Sequence, residues 1–302
     1  MYDKIYEAIG NTPLVKVDFE CPAEIYAKLE YLNPGQSIKD RAALAMIEEA
    51  EASGKLKPGG TIVEASSGNQ GIALAMIGAS KGYKVVITTP KKTSVEKVKT
   101  LKAFGAEVIL CDSINDTSNP NHYHKIAVRK TKEIPGAYMT DQYMNIENAE
   151  GHYKMTGPEI WRQTNGKITH FFAASGSCGT ISGTGKFLKE KNPNVKVIAF
   201  DIATSWYSTG GNPKPYKVEG PGIDFDTPVL YRQYIDEIIP ITDEQAFSMI
   251  KPIAVKTGIL GGLSSGLVAY GVNQYVKKMK EGDLGVMIFG DSARAYLSKL
   301  EF

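Results

Sequence analysis

A lysine close behind a Pro-Gly turn is the strongest candidate nucleophile in this sequence. Lys39 follows Pro34-Gly35 and precedes the apolar run 42–47. Ser37 is a good helix N-cap and Asp40, three residues later, fits the capping-box position, so we expect Lys39 in the first turn of a helix. The aligned N–H groups of that turn disfavour an ammonium ion and therefore favour a neutral, nucleophilic amine. The alternative is an ordinary solvated lysine near a helix start.

A loop of small polar residues follows a predicted strand further along the chain. Residues 66–71 read Ser-Ser-Gly-Asn-Gln-Gly and lie between the β-rich run 61–63 and the apolar run 72–77. A strand that leads through such a loop into a helix presents backbone N–H groups and hydroxyls to an anion. We interpret this loop as a carboxylate site, to which Asn69 would add a side-chain amide. An ordinary strand-to-helix turn uses the same residue types and is the alternative.

A second polar loop has the features of a phosphate site. Residues 176–180 read Gly-Ser-Cys-Gly-Thr, follow the apolar run 168–174, and open a helix that we expect to reach about Lys189. Backbone N–H groups, the helix dipole and two hydroxyls together suit a phosphate dianion. The loop matches neither the Rossmann glycine pattern nor a Walker loop, so a compact monophosphate is favoured over a nucleotide.

The last predicted strand, 284–289, is followed by Gly290-Asp291-Ser292. In open α/β sheets, residues that contact ligands cluster where the strands end. Ser292 is therefore a candidate to hydrogen-bond a ring nitrogen of a ligand, with a helix cap as the alternative.

The composition excludes several classes of function. The 302 residues carry 35 Lys and Arg against 33 Asp and Glu, a formal charge of +2, so no basic field for nucleic acid is expected. Three widely spaced cysteines argue against a disulfide framework and a thiolate metal site, and we interpret the four histidines as solvated or structural. No apolar run of membrane-spanning length and no signal-peptide pattern occur. We expect a cytoplasmic protein without a metal, a membrane partner or a nucleic-acid partner.

The elements that position these loops alternate between strands and helices. Strands are predicted near 14–17, 24–29, 60–65, 84–89, 107–111, 168–174, 196–201, 235–239 and 284–289. Helical patterns lie between most of them, as in βαβ units, which indicates an α/β fold, and the length suggests about two domains. The stretches 115–121 and 204–221 are predicted loops.

Taken together, these four segments resemble the cysteine synthase and cystathionine β-synthase family of pyridoxal-phosphate enzymes. The resemblance extends over almost the whole chain, through 9–15, 140–145, 152–161, 261–266 and 290–292. It implies the fold-type-II architecture, similar to the tryptophan synthase β chain, with two open twisted sheets flanked by helices. It also implies a homodimer, and a small mobile domain at 41–149 inserted in a large cofactor-binding domain formed by 1–40 and 150–302.

The resemblance also implies roles for individual residues. Lys39 matches the lysine that holds pyridoxal phosphate as a Schiff base and later moves the substrate α-proton. Ser292 matches the partner of the pyridine nitrogen, and Asn69 the residue bonded to the ring hydroxyl. The phosphate cradle corresponds to Gly176, Ser177, Cys178, Gly179 and Thr180. The residues that clasp the substrate carboxylate correspond to Ser66, Ser67, Asn69, Gln70 and Gln142.

The implied reaction is a β-replacement, in which an amino-acid donor passes through an α-aminoacrylate and a thiol, sulfide or water adds. O-acetylserine and sulfide, giving cysteine, are the commonest pair in the family. One alternative is cysteine as donor, with release of hydrogen sulfide and with water or a second cysteine as acceptor, giving serine or lanthionine. Another is thioether formation of the cystathionine β-synthase type. A catalytically silent binding or regulatory relative is a different class, and the retained Lys39 and carboxylate loop argue against it.

Three departures from the family pattern are informative. Ser177 and Cys178 replace the usual threonine and glycine of the phosphate loop, although its backbone donors should survive. Gln70 replaces a threonine in the carboxylate loop. Asp224, directly before Phe225, resembles the cystathionine synthase version and could orient an acceptor or activate water, which bare sulfide does not need. The alternative for Asp224 is a turn cap. Because the sequence ends at residue 302, we expect no appended regulatory domain like that of animal cystathionine synthases.

Overall fold

The computed structural model describes residues 1–114 and 118–300, and it joins mostly parallel strands through helices. The strands are β1 (Leu14–Lys16), β2 (Glu24–Leu29), β3 (Thr61–Ala65), β4 (Lys84–Pro90), β5 (Glu107–Cys111), β6 (Ala137–Met139), β7 (His170–Ala174), β8 (Lys196–Ile202), β9 (Glu237–Ile241) and β10 (Leu284–Phe289). The predicted α/β class, with two sheets flanked by helices, is confirmed.

The helices connect and cover these strands. They are α1 (Lys39–Ala52), α2 (Asn69–Lys81), α3 (Val95–Ala103), α4 (Tyr123–Glu133), α5 (Glu147–Lys154), α6 (Thr156–Gln163), α7 (Gly179–Lys191), α8 (Trp206–Thr209), α9 (Asp243–Thr257) and α10 (Leu263–Tyr275). Short 3₁₀ helices occupy Ile5–Ala8, Glu30–Leu32, Arg232–Tyr234, Val276–Lys278 and Ala293–Lys299. Within the described residues, none of the helices has the length and apolarity needed to cross a membrane.

The chain divides into two units, each with one sheet. The first unit comprises Met1–Ile9 and Asn33–Glu147, and its four parallel strands have the order β5-β4-β3-β6. All five residues of β3 are buried, as is β4 after Lys84, because helices cover both faces of a parallel sheet. Ile62, Leu74 and Ile87 lie in its core, fully shielded from solvent.

The second unit comprises Gly10–Leu32 and Asn148–Phe302, and its sheet has the order β1-β2-β10-β7-β8-β9. Only β1 is antiparallel among these described strands. Lys28 of β2 is buried, and its ammonium group is paired with Glu159 of α6 at 2.6 Å. It also donates to the Thr12 carbonyl and to Gln163, at 3.0 and 2.9 Å. This satisfied ion pair ties the N-terminal strand pair to α6.

Each of the nine predicted strands is present, and two differences have physical causes. The prediction omitted β6, which has only three residues and is too short to show a pattern. The prediction for 235–239 stopped before Pro240, whereas β9 runs through it. Proline is tolerated there because β9 is an edge strand. The predicted loop 204–221 contains the short helix α8, and residues 115–117 of the other predicted loop lie outside the described residues.

Candidate active site

Lys39 is the first residue of α1, so its predicted place in the first helical turn is confirmed. The Ser37 hydroxyl accepts a hydrogen bond from the Lys39 N–H at 3.2 Å, as expected of a helix cap, although Ile38 directly precedes the first helical residue. The second half of the predicted capping box is wrong. Asp40 instead accepts a hydrogen bond from the Gly35 N–H at 2.5 Å. A Cβ on Gly35 would collide with that carboxylate, which explains the glycine in the Pro-Gly turn. The turn and the helix start are thus fixed to each other around Lys39.

The carboxylate loop joins β3 to α2 in the first unit. The Ser66 hydroxyl is buried and accepts hydrogen bonds from the N–H groups of Gly68 and Gly71, at 3.2 and 3.1 Å. Ser67 is exposed, and Asn69, the first residue of α2, is partly exposed. Ser66 therefore shapes the loop, while Ser67 and Asn69 lie where a ligand could reach them.

Gln70 has an unusual environment in the same loop. Its side chain is 2% exposed, and neither its amide oxygen nor its amide nitrogen has a hydrogen-bond partner among the described residues. A buried amide without partners is costly, typically by about 1–3 kcal/mol for each group, so this geometry is suited to receiving a polar ligand group.

Gln142 lies three residues beyond the end of β6. Strands β3 and β6 are neighbours, so the carboxylate loop and Gln142 emerge at the same edge of the four-stranded sheet. Just past the last paired residues, the Thr140 N–H donates to the Val63 carbonyl at 3.3 Å, and the Thr140 hydroxyl donates to the Glu64 carboxylate. The structure therefore brings the predicted carboxylate-binding residues of the first unit together.

Glu64 is a fully buried acid beneath this loop, and burial raises its pKa from 4.5 to about 7. The nearby charge of Asp141 acts in the same direction, whereas the Thr140 hydrogen bond and His124 oppose the increase. His124 Nε2 lies 3.5 Å from Asp141, and the hydrogen bond to that carboxylate raises the pKa of His124.

The phosphate loop joins β7 to α7 in the second unit, as predicted, although α7 extends to Lys191. A Cβ at Gly176 would collide with the Gly220 carbonyl, and one at Gly179 would collide with the Asn148 side chain. Cys178 has a φ of 66° at the cap position of α7. A non-glycine residue in that left-handed conformation costs about 1–2 kcal/mol, a strain typical of functional loops.

Two buried side chains support this loop from below. Asn148 donates to the Ser177 hydroxyl at 3.0 Å. The His152 ring is 3.2 Å from the Thr180 hydroxyl through Nε2 and 2.8 Å from the Thr156 hydroxyl through Nδ1. Helix α7 has 13 residues, and its first N–H groups lack intrahelical partners by geometry. A cradle without Cβ atoms at such a helix start fits a phosphate group.

Ser292 follows β10, the neighbour of β7 in the same sheet. Its hydroxyl donates to the Leu260 carbonyl at 3.2 Å and accepts from the Arg294 N–H at 3.3 Å. The Ser292 hydroxyl thus caps the following 3₁₀ helix, and it would have to turn away from Leu260 to donate to a ring nitrogen.

Asp224 lies on an exposed part of the second unit, in the segment after Gly222. Partial desolvation of its carboxyl group raises the pKa of Asp224, and a hydrogen bond from Tyr216 opposes the increase. Two residues further on, Asp226 accepts hydrogen bonds from the Thr227 N–H and the Tyr207 hydroxyl, at 3.0 and 2.9 Å. Asp226 therefore makes the local turn-stabilising contacts.

Asp201, near the end of β8, organises the backbone that contacts the residues just before Asp224. Its buried carboxylate accepts hydrogen bonds from the hydroxyls of Ser175, Ser205 and Ser208. The Ser175 carbonyl then accepts from the Gly222 N–H, and the Trp206 N–H donates to the Ile223 carbonyl, both at 2.7 Å. The residues just before Asp224 are thereby fixed to the start of the phosphate loop.

The sequence-based interpretation missed several residues of these networks. His152 was interpreted as structural or solvated together with the other histidines, yet it contacts Thr180 of the phosphate loop. Lys97 is absent from the predicted site, yet it is buried and its Nζ lies 3.9 Å from the position of a Cβ built on Gly68. Their only signal in the sequence was a polar side chain close to a strand end or a helix start.

Comparisons with known proteins agree with this geometry. A family model described as "Pyridoxal-phosphate dependent enzyme" matches residues 5–291. A cysteine synthase of Staphylococcus aureus is 42% identical over 303 residues, covering 98% of this chain and 96% of that protein. A cystathionine beta-synthase of Apis mellifera is also 42% identical, over 98% of this chain but 60% of the longer relative.

A solved structure shares the architecture. A hydrogen sulfide-producing enzyme from Fusobacterium nucleatum superposes with a TM-score of 0.92 at 38% identity, and the match covers 98% of both chains.

The raised pKa of Glu64 predicts a pH-dependent stability. The folded protein keeps this proton up to a pH of about 7, whereas an ordinary glutamate loses it near 4.5. The free energy of unfolding should therefore decrease by about 3 kcal/mol as the pH rises through that window. The glutamine side chain in Glu64→Gln does not titrate. The free energy of unfolding of this variant, relative to that of the wild type, should therefore increase over the same pH window and level off above it.

Urea unfolding at several pH values between 4.5 and 8 measures this difference. Glu107→Gln, which alters an exposed glutamate on β5 of the same sheet, is the matched control and should follow the wild type. Parallel curves for Glu64→Gln and the wild type would contradict a raised pKa.

Proposed function

The chain belongs to the pyridoxal-phosphate dependent enzyme family, and we propose that it uses cysteine as donor and releases hydrogen sulfide. It is a β-replacement enzyme of sulfur amino-acid metabolism with the fold-type-II architecture. Asp224 carries the choice of donor and acceptor, because a positioned carboxylate with a raised pKa suits an acceptor that must lose a proton.

We propose that the cofactor is held by residues that the sequence assigned to it. The loop 176–180 would take the phosphate group through the first N–H groups of α7, and its two glycines let Gly220 and Asn148 pack closely against it. Asn69 would bond the ring hydroxyl, and Ser292 the ring nitrogen. Serine, unlike aspartate, does not force that nitrogen to stay protonated, which favours prompt loss of the β-substituent.

Lys39 would hold the cofactor covalently through its amine and later move the donor's α-proton with the same nitrogen. When bound, pyridoxal phosphate supplies the electron sink that acidifies the α-carbon and allows the β-substituent to leave. The fixed turn at Gly35 and the helix start support this role, because they hold the Lys39 backbone in one place.

The donor carboxylate would be bound by Ser66, Ser67, Asn69, Gln70 and Gln142. The amide of Gln70 has no hydrogen-bond partner within the part of the chain that the structure describes, which supports this assignment, since a carboxylate would accept from its NH₂ group. Such binding orients the α-carbon and the β-substituent for reaction, and loop closure over the carboxylate would exclude water from the reacting atoms.

Asp224 would act on the acceptor in the second half of the reaction. Its carboxylate takes a proton from water or from the thiol of a second cysteine as that oxygen or sulfur bonds to the β-carbon. Cysteine and water then give serine and hydrogen sulfide, whereas two cysteines give lanthionine and hydrogen sulfide. The fixation of Gly222 and Ile223 supports this role, because it limits the positions that the Asp224 side chain can adopt.

Cysteine synthesis from O-acetylserine and sulfide is the second candidate. The 42% identity to a cysteine synthase over almost the whole chain favours it. Sulfide attacks the β-carbon unaided, so in that reaction Asp224 would have no chemical task.

We propose further that the enzyme is a cytoplasmic homodimer and that residues 41–149 move as the small domain, as the resemblance implies. Light scattering on the purified protein tests the assembly, and crystals grown with and without an unreactive amino acid test the motion.

A product screen separates the candidates. Purified protein is incubated with cysteine alone, with O-acetylserine plus sulfide, and with serine plus homocysteine. We expect hydrogen sulfide from cysteine alone, with serine or lanthionine formed in equal amount. Fast cysteine formation in the second mixture and no sulfide in the first would support cysteine synthesis, and a thioether product in the third would indicate cystathionine β-synthase-type chemistry.

Asp224→Asn should slow only the second half-reaction. Because proton transfer by a positioned side chain contributes about 10²- to 10⁴-fold, completion of the reaction should slow by that factor while release of the first product stays near the wild-type rate. Rapid mixing with cysteine separates the two halves, because hydrogen sulfide is released in the first half and serine or lanthionine forms in the second. Asp226→Asn is the matched control, and an unchanged second half in Asp224→Asn would leave Asp224 without a catalytic role.

Lys39→Ala should lose the covalent cofactor. Borohydride reduction followed by mass spectrometry should detect the adduct in the wild type and in the control Lys55→Ala, which alters an exposed lysine, but not in Lys39→Ala. Turnover should also disappear in Lys39→Ala alone. A variant that keeps both the adduct and normal turnover would mean that another lysine holds the cofactor.

A further inference from the structure

Two segments assigned to the donor carboxylate leave the first sheet side by side. The carboxylate loop begins at Ser66, directly after β3, and Gln142 follows β6. The last residues paired between these strands are Val63 and Met139. Beyond that pair the Thr140 N–H still donates to the Val63 carbonyl at 3.3 Å, but among the described residues no strand pairing fixes the distance between Ser66 and Gln142.

One side-chain hydrogen bond spans this gap. The residues next in sequence to the last pair are Glu64 and Thr140, and the Thr140 hydroxyl donates to Glu64 Oε2. The other carboxylate oxygen, Oε1, accepts from the Ala65 N–H at 3.1 Å. Glu64 is 1% exposed and Thr140 fully buried, so water does not compete for this bond.

We propose that Glu64 and Thr140 are positioning residues that set the spacing between Ser66 and Gln142, and thereby the affinity for the donor's carboxylate. Glu64 lies two residues before Ser66, and Thr140 lies two residues before Gln142. A change in their separation therefore passes directly to both binding segments. The inference rests on the proposed assignment of Ser66 and Gln142 to the donor.

The residue between Thr140 and Gln142 adds a second constraint. Asp141 has a φ of 46°, a conformation that non-glycine residues seldom adopt. Its carbonyl accepts from the N–H groups of Met144 and Asn145, at 3.0 and 2.9 Å, and its carboxylate lies 3.5 Å from His124 on α4. These contacts hold the turn that carries Gln142 away from β6.

The test compares threonine variants that keep or remove the hydroxyl. Thr140→Val keeps the shape but removes the bond. At pH 8, where Glu64 is ionised, this variant should raise the KM for the donor by about 10- to 100-fold, the range of a hydrogen bond to a charged group, with kcat little changed. Thr140→Ser restores the hydroxyl and should restore the KM. Thr164→Val, which removes a buried hydroxyl that donates to the Ile160 carbonyl of α6, is the matched control and should leave the KM unchanged.

Hydrogen exchange on the protein without cofactor gives a readout that does not depend on activity. Peptides that cover 64–71 and 138–146 should exchange faster in Thr140→Val than in the wild type or Thr140→Ser. If Thr140→Val does not fold, the double variant Glu64→Gln/Thr140→Val removes the buried charge together with the bond and serves the same comparison.

A further variant separates this inference from the assignment on which it rests. Gln142→Ala should raise the KM for the donor, and an unchanged KM would contradict the assignment of Gln142 itself. A raised KM in Gln142→Ala together with a normal KM in Thr140→Val would overturn the positioning role alone. If Thr140→Ser changed the KM and the kcat as much as Thr140→Val does, the positioning role would also be overturned, because restoring the hydroxyl would have had no effect.

Discussion

The proposed chemistry depends on hydrogen bonds to anions from backbone N–H groups at two helix starts, where these groups lack partners within the helix by geometry. In the first unit β3 runs through the carboxylate loop into α2, and in the second β7 runs through the phosphate loop into α7. Both helices have 13 residues, long enough for an appreciable dipole at the N-terminus. Because backbone groups provide these donors, the loops can vary in side chains as long as their conformation is kept. The replacement of the usual threonine and glycine by Ser177 and Cys178 is therefore compatible with anion binding.

The conformation of both loops depends on buried polar residues that lie next to them. Asn148 and His152 contact the phosphate loop, and Asp201 holds the serine that precedes it. Glu64 plays a comparable part beside the carboxylate loop. Buried polar groups of this kind stabilise a loop when they are hydrogen-bonded, since a buried polar group without a hydrogen bond is strongly unfavourable. Each loop is thus as well defined as the hydrogen bonds beneath it.

Much of this arrangement could be predicted from the sequence because it follows from local patterns. The apolar runs predict nine strands, and the structure contains a strand at each of these places. The small polar residues after 65 and 175 predict the two loops. The neighbours of Lys39 predict its position in a first helical turn. They do not predict the partner of Asp40, because its carboxylate can accept from the N–H of Gly35 as well as from that of Ser37. Contacts such as His152 with Thr180 join residues far apart in sequence. No local pattern contains them, and β6 was too short to leave one.

The order of strands in the six-stranded sheet has a consequence for how the protein is made. Strand β10 lies between β2 and β7, yet it is the last of the described strands to leave the ribosome. All four strands of the other sheet lie within 33–147, so they can pair while the chain is still growing. Until β10 is made, the edge of β2 that faces away from β1 has no partner strand, and such an open edge can pair with another chain. Release of the C-terminal segment is thus the event that closes the second sheet, and a premature stop before β10 would leave it in two pieces.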